Sequence, residues 1–303
     1  MAAESNYEKR FVFRIIPQRV YKNHKFPVGN KARVERTDSQ LRNHYEVERE
    51  LAQTLLNSSR DERKVLFSSL YDELFERVPD HPRLTRRETA ERSAAAVEAR
   101  LKLLEPHLSG EMRFLEFAPG DCRLAHEVCP RVESVIAVDI SDQRALGDET
   151  PDNFDLKLYD GYVLDVPDSS IDIVFSYQFL EHLHPEDVDI HFENVVRVLK
   201  GGGEYIFDTP HRFSGPHDIS GAFGSTLECL HFQEWTYREM FRLLHNHGFE
   251  RCYAYAGGKV RKGRLLNHLK LLVESGIGIL PYRLRKLCGG RLFQGVTIMA
   301  VKG

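Results

Sequence analysis

The stretch IDIVFSYQFLEHLHPEDVDIHFENVVRVLKGGGEYIFDTP, residues 171–210, holds two strand signals and one helix signal in forty positions. Ile171–Phe175 and Tyr205–Phe207 are short apolar runs of the kind that form buried strands. Between them Pro185–Leu199 reads as a helix, with Pro185 suited to the first turn because a helix start does not use that N–H. Strand, helix, strand over this length is a parallel crossover unit. Working outward, Phe114–Phe117 and Val135–Val138 add two more strands and Arg123–Val128 a helix. Tyr237–His247 continues the alternation, with Gly248 fitting the position just past a helix end. The expected fold is a doubly wound, mostly parallel Rossmann-like α/β sheet. Gly295–Val301 reads as its last strand.

Outside this core the pattern changes. From about Tyr45 the chain is helical, and Ser59-x-x-Glu62 and Thr85-x-x-Glu88 both have the capping-box form. The first is expected to start a helix with Val65, Leu66, Leu70, Phe75 and Val78 on one face; the second, a helix from about Arg86 to Leu104. The expected organisation is a basic segment at 1–44, a helical cap at 45–110, and an α/β domain at 111–303 carrying a basic insertion at 258–292. Phe11–Ile16 reads as a short strand in the first segment.

Composition bounds the class. The chain has 303 residues, 42% hydrophobic, with 21 Gly and 13 Pro, which excludes collagen-like and low-complexity polypeptides. A formal net charge of −3 conceals a split. Residues 1–44 carry ten basic and four acidic residues, residues 258–292 nine and one (Glu274), and residues 45–257 twenty-two and forty. Five scattered cysteines without a C-x-x-C pair argue against a disulfide framework or a structural zinc site and for a reducing compartment. The first residues have no apolar signal region, and no run is long enough to span a bilayer, so a cytoplasmic protein is expected.

The loop after the first strand, Leu115-Glu-Phe-Ala-Pro-Gly-Asp-Cys-Arg-Leu124, occupies the nucleotide-binding position of such a sheet. It lacks the G-x-G-x-x-G that lets backbone approach a pyrophosphate, and Pro119 has no N–H, which disfavours a nicotinamide dehydrogenase. Asp139 ends the second strand nineteen residues after Gly120, where a carboxylate can accept both hydrogen bonds of a ribose diol. Asp160-Gly161 ends a short third strand, where a carboxylate can meet an adenine amino group. Three acidic strand ends in that order are more than scattered loop acids.

These stretches carry a resemblance. LEFAPGDCRL, VIAVDIS, YDGYVLDVPDSSIDIVFSYQFLEHLHPEDV and VVRVLKGGGEYIFDTPHR resemble the core of the class I S-adenosylmethionine-dependent methyltransferases, in particular their small-molecule, ubiquinone-biosynthesis-like branch. The likeness is close over residues 115–210 and extends in topology over 113–303. The chain departs from the family's G-x-G-x-G at Ala118 and Cys122. The resemblance implies S-adenosyl-L-methionine as cofactor, with Glu116, Ala118 and Gly120 along its amino-acid end and Asp139 on the ribose. It further implies Ile140 against the adenine, Asp160 and Gly161 at the adenine edge, and Ser176 and Tyr177 beside the sulfonium. It also implies a final hairpin at Arg251–Ala256 and Val296–Val301. Phe175-Ser-Tyr-Gln178 lacks the N-P-P-Y type signature of nucleobase amino methylation, which points to a small-molecule acceptor. Methylation at oxygen is expected, of an anionic or lipid-linked acceptor, the lipid-linked option being the one the basic insertion raises.

Methyl transfer from a sulfonium is an in-line displacement, for which the protein supplies position and, where needed, a base. His182, His184, His191, His211, His217 and His231 crowd the stretch beyond the fourth strand. No H-x-x-x-H or H-E-x-x-H pair lies on a predicted helix, so no metal is expected. His211, then His217, are the expected catalytic contacts, because both follow the fifth strand on the face where acceptors bind. Tyr71–Phe75 and Val78–Pro82 are the parts of the cap expected to reach the site. The insertion at 258–292 suits an anionic membrane surface or a homodimer contact; nucleic acid is not expected, since neither basic segment interleaves aromatic residues. The alternative is a non-catalytic binding protein that keeps the fold, with Ala118 and Cys122 as its departures.

Overall fold

The computed structural model describes residues 36–86, 90–144, 150–260 and 262–303, except the side chains of 85, 86 and 90–92. The strand expected at Phe11–Ile16, most of the basic N-terminal segment, and the capping box at Thr85–Glu88 lie outside the described residues.

Four helices precede the sheet: α1 (Asp38–Leu56), α2 (Arg60–Arg77), α3 (Pro82–Arg86) and α4 (Ala90–Leu104). Helix α1 starts several residues before the expected boundary, because Thr37 and Gln40 form a capping box there. The Ser59–Glu62 box starts α2 as expected. Its buried face differs, however. Val65 is exposed, and Leu70 and Leu74 turn inward together with Arg63. The Arg63 guanidinium donates to Asp187 at 2.9 and 3.2 Å, to Glu186 at 3.0 Å, to the Tyr162 hydroxyl at 3.1 Å and to the Ser58 carbonyl at 2.7 Å. A charge accepted by that many oxygens can sit on an otherwise apolar face. Leu51, Leu55, Leu74 and Val78 form a core of their own, closed by Leu230 from the α/β domain.

The α/β domain then runs β1 (Arg113–Phe117), α5 (Arg123–Val128), β2 (Ser134–Asp139), β3 (Phe154–Leu158), β4 (Ile171–Tyr177), α6 (Val188–Val198), β5 (Leu199–Pro210), α7 (Tyr237–Asn246), β6 (Phe249–Ala256), β7 (Lys259–Val260), α8 (Arg264–Gly278), α9 (Tyr282–Leu292) and β8 (Gly295–Lys302). Among the described residues the sheet has eight strands in the order β3-β2-β1-β4-β5-β8-β6-β7. The first five are parallel, and β8 inserts antiparallel between β5 and β6 to give the expected final hairpin. Strand order reverses between β1 and β4, the switch point where ligands bind in open α/β sheets.

Apolar side chains cover both faces of the sheet. Phe117, Val174, Tyr205, Phe207 and Ile298 pack under α6 and α7, and Phe114, Val135, Phe175, Ile206 and Met299 pack under α4 and α5. Each such residue withdrawn from water contributes about 1.5–3 kcal/mol. Two boundaries depart from expectation. Helix α6 begins at Val188, three residues past Pro185, because Asp187, its first flanking residue, is held by Arg63. Strand β3 ends at Leu158, so Asp160 belongs to the loop that follows. The insertion forms the two helices α8 and α9.

Candidate active site

The loop after β1 is wound through left-handed backbone. Ala118 (φ 52°), Gly120 (φ 60°) and Cys122 (φ 58°) all have positive φ. Ala118 and Cys122 adopt it at a cost of about 1–2 kcal/mol each, held by Ala118 N–H donating to Val138 C=O at 2.8 Å and by burial of Cys122 at the start of α5. Gly120 donates its N–H to Asp139 Oδ2 at 3.2 Å. A side chain added at Gly120 would meet only Arg83, at 3.8 Å, so its outer face opens toward the cap.

Three carboxylates sit around this loop in distinct states. Glu116 is fully buried with Oε2 unpartnered. Burial pushes its pKa up to about 8, opposed by the nearby Arg100 charge and reinforced by Asp121 and Asp139. Asp139 is buried and accepts N–H groups from Ile140 at 2.7 Å and Ser141 at 3.3 Å besides Gly120. Its burial outweighs these bonds and raises the carboxyl. Asp160 is held low: against a burial penalty, the N–H groups of Val163 and Tyr162, at 2.8 and 2.9 Å, and Lys64 favour its ionised form. Gly161 (φ 88°) closes against the Phe67 ring, 3.3 Å from where a side chain would begin.

The cap supplies residues that the motifs do not name. The Arg83 guanidinium lies 4.9 Å from the Tyr71 ring centre. Burial raises the Tyr71 phenol, with Arg83 opposing and the Asp139 charge adding. Arg100 of α4 lies 4.7 Å from the Tyr177 ring centre and forms no ion pair among the described residues. Tyr71 thus reaches the site as expected. Phe67, Arg83 and Arg100 were not legible, because nothing in a solvated helix pattern marks which cation faces a loop far along the chain.

Beyond β4 the chain makes a single turn, Leu180–His182, and a second cluster begins there. Glu181 is 0% exposed; Oε2 accepts from Thr209 Oγ1 at 3.0 Å and Oε1 has no partner. Burial pushes it up to about 7. His182 donates through Nδ1 to the Leu230 carbonyl at 2.9 Å, and burial with the neighbouring His231 charge drives it down to about 3. His231 and His217 both engage Glu234 through Nδ1 at 3.1 Å. Although buried, Glu234 falls to about 2 under these two histidines. Under the cap, Glu48 binds His44 at 2.6 Å and His81 at 3.3 Å.

Most of the sequence-derived site residues come together at the C-terminal ends of β1, β2 and β4, and two do not behave as expected. The Ser176 hydroxyl turns into the core and bonds the Tyr205 hydroxyl at 2.8 Å, because alternation along β4 sends Ser176 and Tyr177 to opposite faces. His211 is 0% exposed with both ring nitrogens engaged: Nδ1 accepts from Phe213 N–H at 3.1 Å and Nε2 donates to Glu274 at 2.8 Å. Its ring also stacks on Phe293 at 4.7 Å. It is a packing residue, not an acceptor contact. His217 keeps a 30% exposed side chain with Nε2 unengaged.

Residues 115–207, from the end of β1 through β5, match the family model described as "Methyltransferase domain". This segment is similar to methyltransferase domains. A stretch of 87 residues, 29% of the chain, is 32% identical to a Mycolicibacterium smegmatis protein described as a probable S-adenosylmethionine-dependent methyltransferase. The match covers about a third (32%) of that relative's length. Solved structures with the same fold include an S-adenosylmethionine-dependent methyltransferase from Archaeoglobus fulgidus (19% identity, 72% of this chain and 96% of that one, TM-score 0.47). Another is the Haemonchus contortus phosphoethanolamine N-methyltransferase 2 bound to S-adenosylhomocysteine (18% identity, 69% and 52%, TM-score 0.46).

The Mycolicibacterium smegmatis relative is described as S-adenosylmethionine-dependent, and the residues present here fit that cofactor. The unpartnered Glu116 oxygen suits an ammonium, the unpaired Arg100 suits a carboxylate, and Gly120 leaves space where a Cβ would intrude. Asp139 retains lone pairs beyond its three backbone bonds for a ribose diol.

Proposed function

We propose that the protein transfers the methyl group of S-adenosylmethionine to an oxygen of a small-molecule acceptor that is anionic or lipid-linked. The observation that carries this reading is the opening of the Gly120 loop, with its acids Glu116 and Asp139, toward the cap residue Arg83, which stands over the Tyr71 ring. The cofactor supplies an electrophilic methyl on a sulfonium. Glu116, Asp139 and Asp160 would hold its ammonium, ribose and adenine, Arg100 would hold its carboxylate, and Tyr177 would border the approach of the acceptor. Methylation of an acceptor hydroxyl would release the proton of that hydroxyl. His217 is the base in this scheme: Glu234 engages Nδ1 of its part-exposed ring, which leaves Nε2 to take the proton.

Supporting a lipid-linked acceptor, α8 exposes Leu265 (84%) and Leu272 (72%), the residue after it, Ile279, is 86% exposed, and α9 carries Arg283, Arg285 and Lys286. Apolar side chains among cations complement an anionic lipid surface. No described helix is long and apolar enough to cross a membrane.

Two variants separate binding from chemistry. Asp139→Ala should weaken S-adenosylmethionine binding by about 10- to 100-fold in calorimetry. His217→Ala should leave that affinity unchanged and lower turnover by about 10²–10⁴-fold with an acceptor found by incubating methyl-labelled cofactor with fractionated extract. Absence of cofactor binding by the wild-type protein would favour a non-catalytic binding module instead.

A further inference from the structure

The cluster at the end of β4 has a geometry the methyl-transfer scheme does not use. Glu181, His182 and His231 each offer one ligand atom, and these atoms lie within 4.8 Å of one another. The segment bearing His231 is strapped to the turn bearing the other two: Phe232 N–H donates to the Glu181 carbonyl at 2.8 Å, and His182 Nδ1–H to the Leu230 carbonyl at 2.9 Å. The histidine rings meet edge to face at 4.8 Å.

The hydrogen bonds decide which atoms are left to bind something. A carbonyl can only accept, so His182 carries its proton on Nδ1 when neutral. Glu234 takes the Nδ1 proton of His231 in the same way, at 3.1 Å. The Nε2 lone pairs of both neutral rings are therefore available, and no hydrogen bond among the described residues engages them. Glu181 Oε2 is fixed by Thr209, while Oε1, buried and without a partner, is the remaining oxygen. Such support is typical of metal sites, where each ligating histidine donates its second nitrogen to a carbonyl or carboxylate. The two neighbouring clusters lack this character. In one, Glu48 is already bonded by His44 and His81; in the other, Asp218 accepts the N–H groups of Ser220 and His231.

We infer that Glu181, His182 and His231 bind a divalent transition-metal ion through Glu181 Oε1 and the two Nε2 atoms. Two imidazoles and one carboxylate suit Zn²⁺, Mn²⁺ or Fe²⁺ over Ca²⁺ or Mg²⁺, which favour oxygen ligands. Three protein ligands leave positions open for water and for an oxygen of the acceptor. The binding itself does not depend on the proposed activity. Its role does: resting on that reading, a cation here would polarise the acceptor hydroxyl and favour its deprotonation. A chain search for paired histidines misses this set, because His231 stands 49 positions beyond His182 in sequence and only folding brings it back.

The test is direct metal binding by the full chain after chelator treatment and dialysis. Mn²⁺ alone, followed by loss of its free electron-spin-resonance signal, and Zn²⁺ alone, by calorimetry, are the probes. The expected result is one ion per chain. His231→Ala, and Glu181→Gln, which keeps the Thr209 bond, should each weaken binding by about 100-fold or more, while His268→Ala on the exposed face of α8 changes nothing. Unchanged melting temperature and S-adenosylmethionine affinity in the variants would exclude misfolding. Absence of stoichiometric binding by the wild-type chain overturns the inference, as does undiminished binding in both site variants. Cofactor affinity of the metal-free protein is measured separately, so failure of the metal site is distinguishable from failure of the proposed activity.

Discussion

Glu116 is the residue whose chemistry most exceeds its sequence context. A carboxyl that ionises at about 8 in the folded protein and at about 4.5 when unfolded is proton-bound in the native state between those values. Its contribution to stability is complete below about 4.5 and is lost as pH rises through about 8, since the native state then binds more protons than the unfolded chain. Glu116→Gln should flatten this part of the pH–stability profile, measured by urea titration at several pH values. An ammonium beside the carboxylate reverses the preference, so S-adenosylmethionine affinity should rise with pH toward about 8, by up to about tenfold per unit, and be pH-independent in Glu116→Gln. Asp139 and Gly120 were legible in the sequence because one strand–loop–helix–strand unit fixes both. The environment of His211 was not, since its partner Glu274 lies 63 residues away on an insertion whose docking no local pattern reveals.

At the scale of elements, the clearest dependence is that of the cap on one arginine. Arg63 joins α2 to the residues that precede α6, where Asp187 and Glu186 accept from it. Removing one partner of a buried ion pair leaves the other charged and unsolvated, a loss of about 3–5 kcal/mol. Arg63→Met should lower unfolding stability by that amount in denaturant titration. The double variant Arg63→Met with Asp187→Leu should recover much of it, because no charge is then left stranded. The sheet and its order were readable, since buried parallel strands are continuous apolar runs and the connections between them are short. The start of α6 was not, because Pro185 satisfies a local rule for a first turn while the Arg63 contact, 124 residues removed, holds Asp187 outside the helix.

For the molecule as a whole, the distribution of charge becomes a statement about surfaces. The acidic excess lies in residues 45–257, and six of the nine cations of 258–292 lie on α8 and α9, where Leu265, Leu269, Leu272, Leu284 and Leu287 are exposed. The protein should therefore bind vesicles containing phosphatidylserine and phosphatidylcholine, and phosphatidylcholine vesicles weakly, with binding declining as salt is added. Leu265→Glu with Leu272→Glu should abolish co-sedimentation with the anionic vesicles. A concentration-dependent dimer disrupted by the same pair, without vesicle binding, would assign the face to a second copy of the chain.

The insertion has a single acid, Glu274, and the fold spends it inside. It accepts from His211 Nε2–H at 2.8 Å and from the first two N–H groups of α7, Tyr237 and Arg238, at 2.7 and 3.0 Å. Glu274 thus forms a buried hub that joins the insertion to the residue after β5 and to α7, beside the Asn267 bonds to Ala254 N–H and the Cys252 carbonyl. Substitutions among the exposed leucines can change the surface that the insertion presents without disturbing the hub.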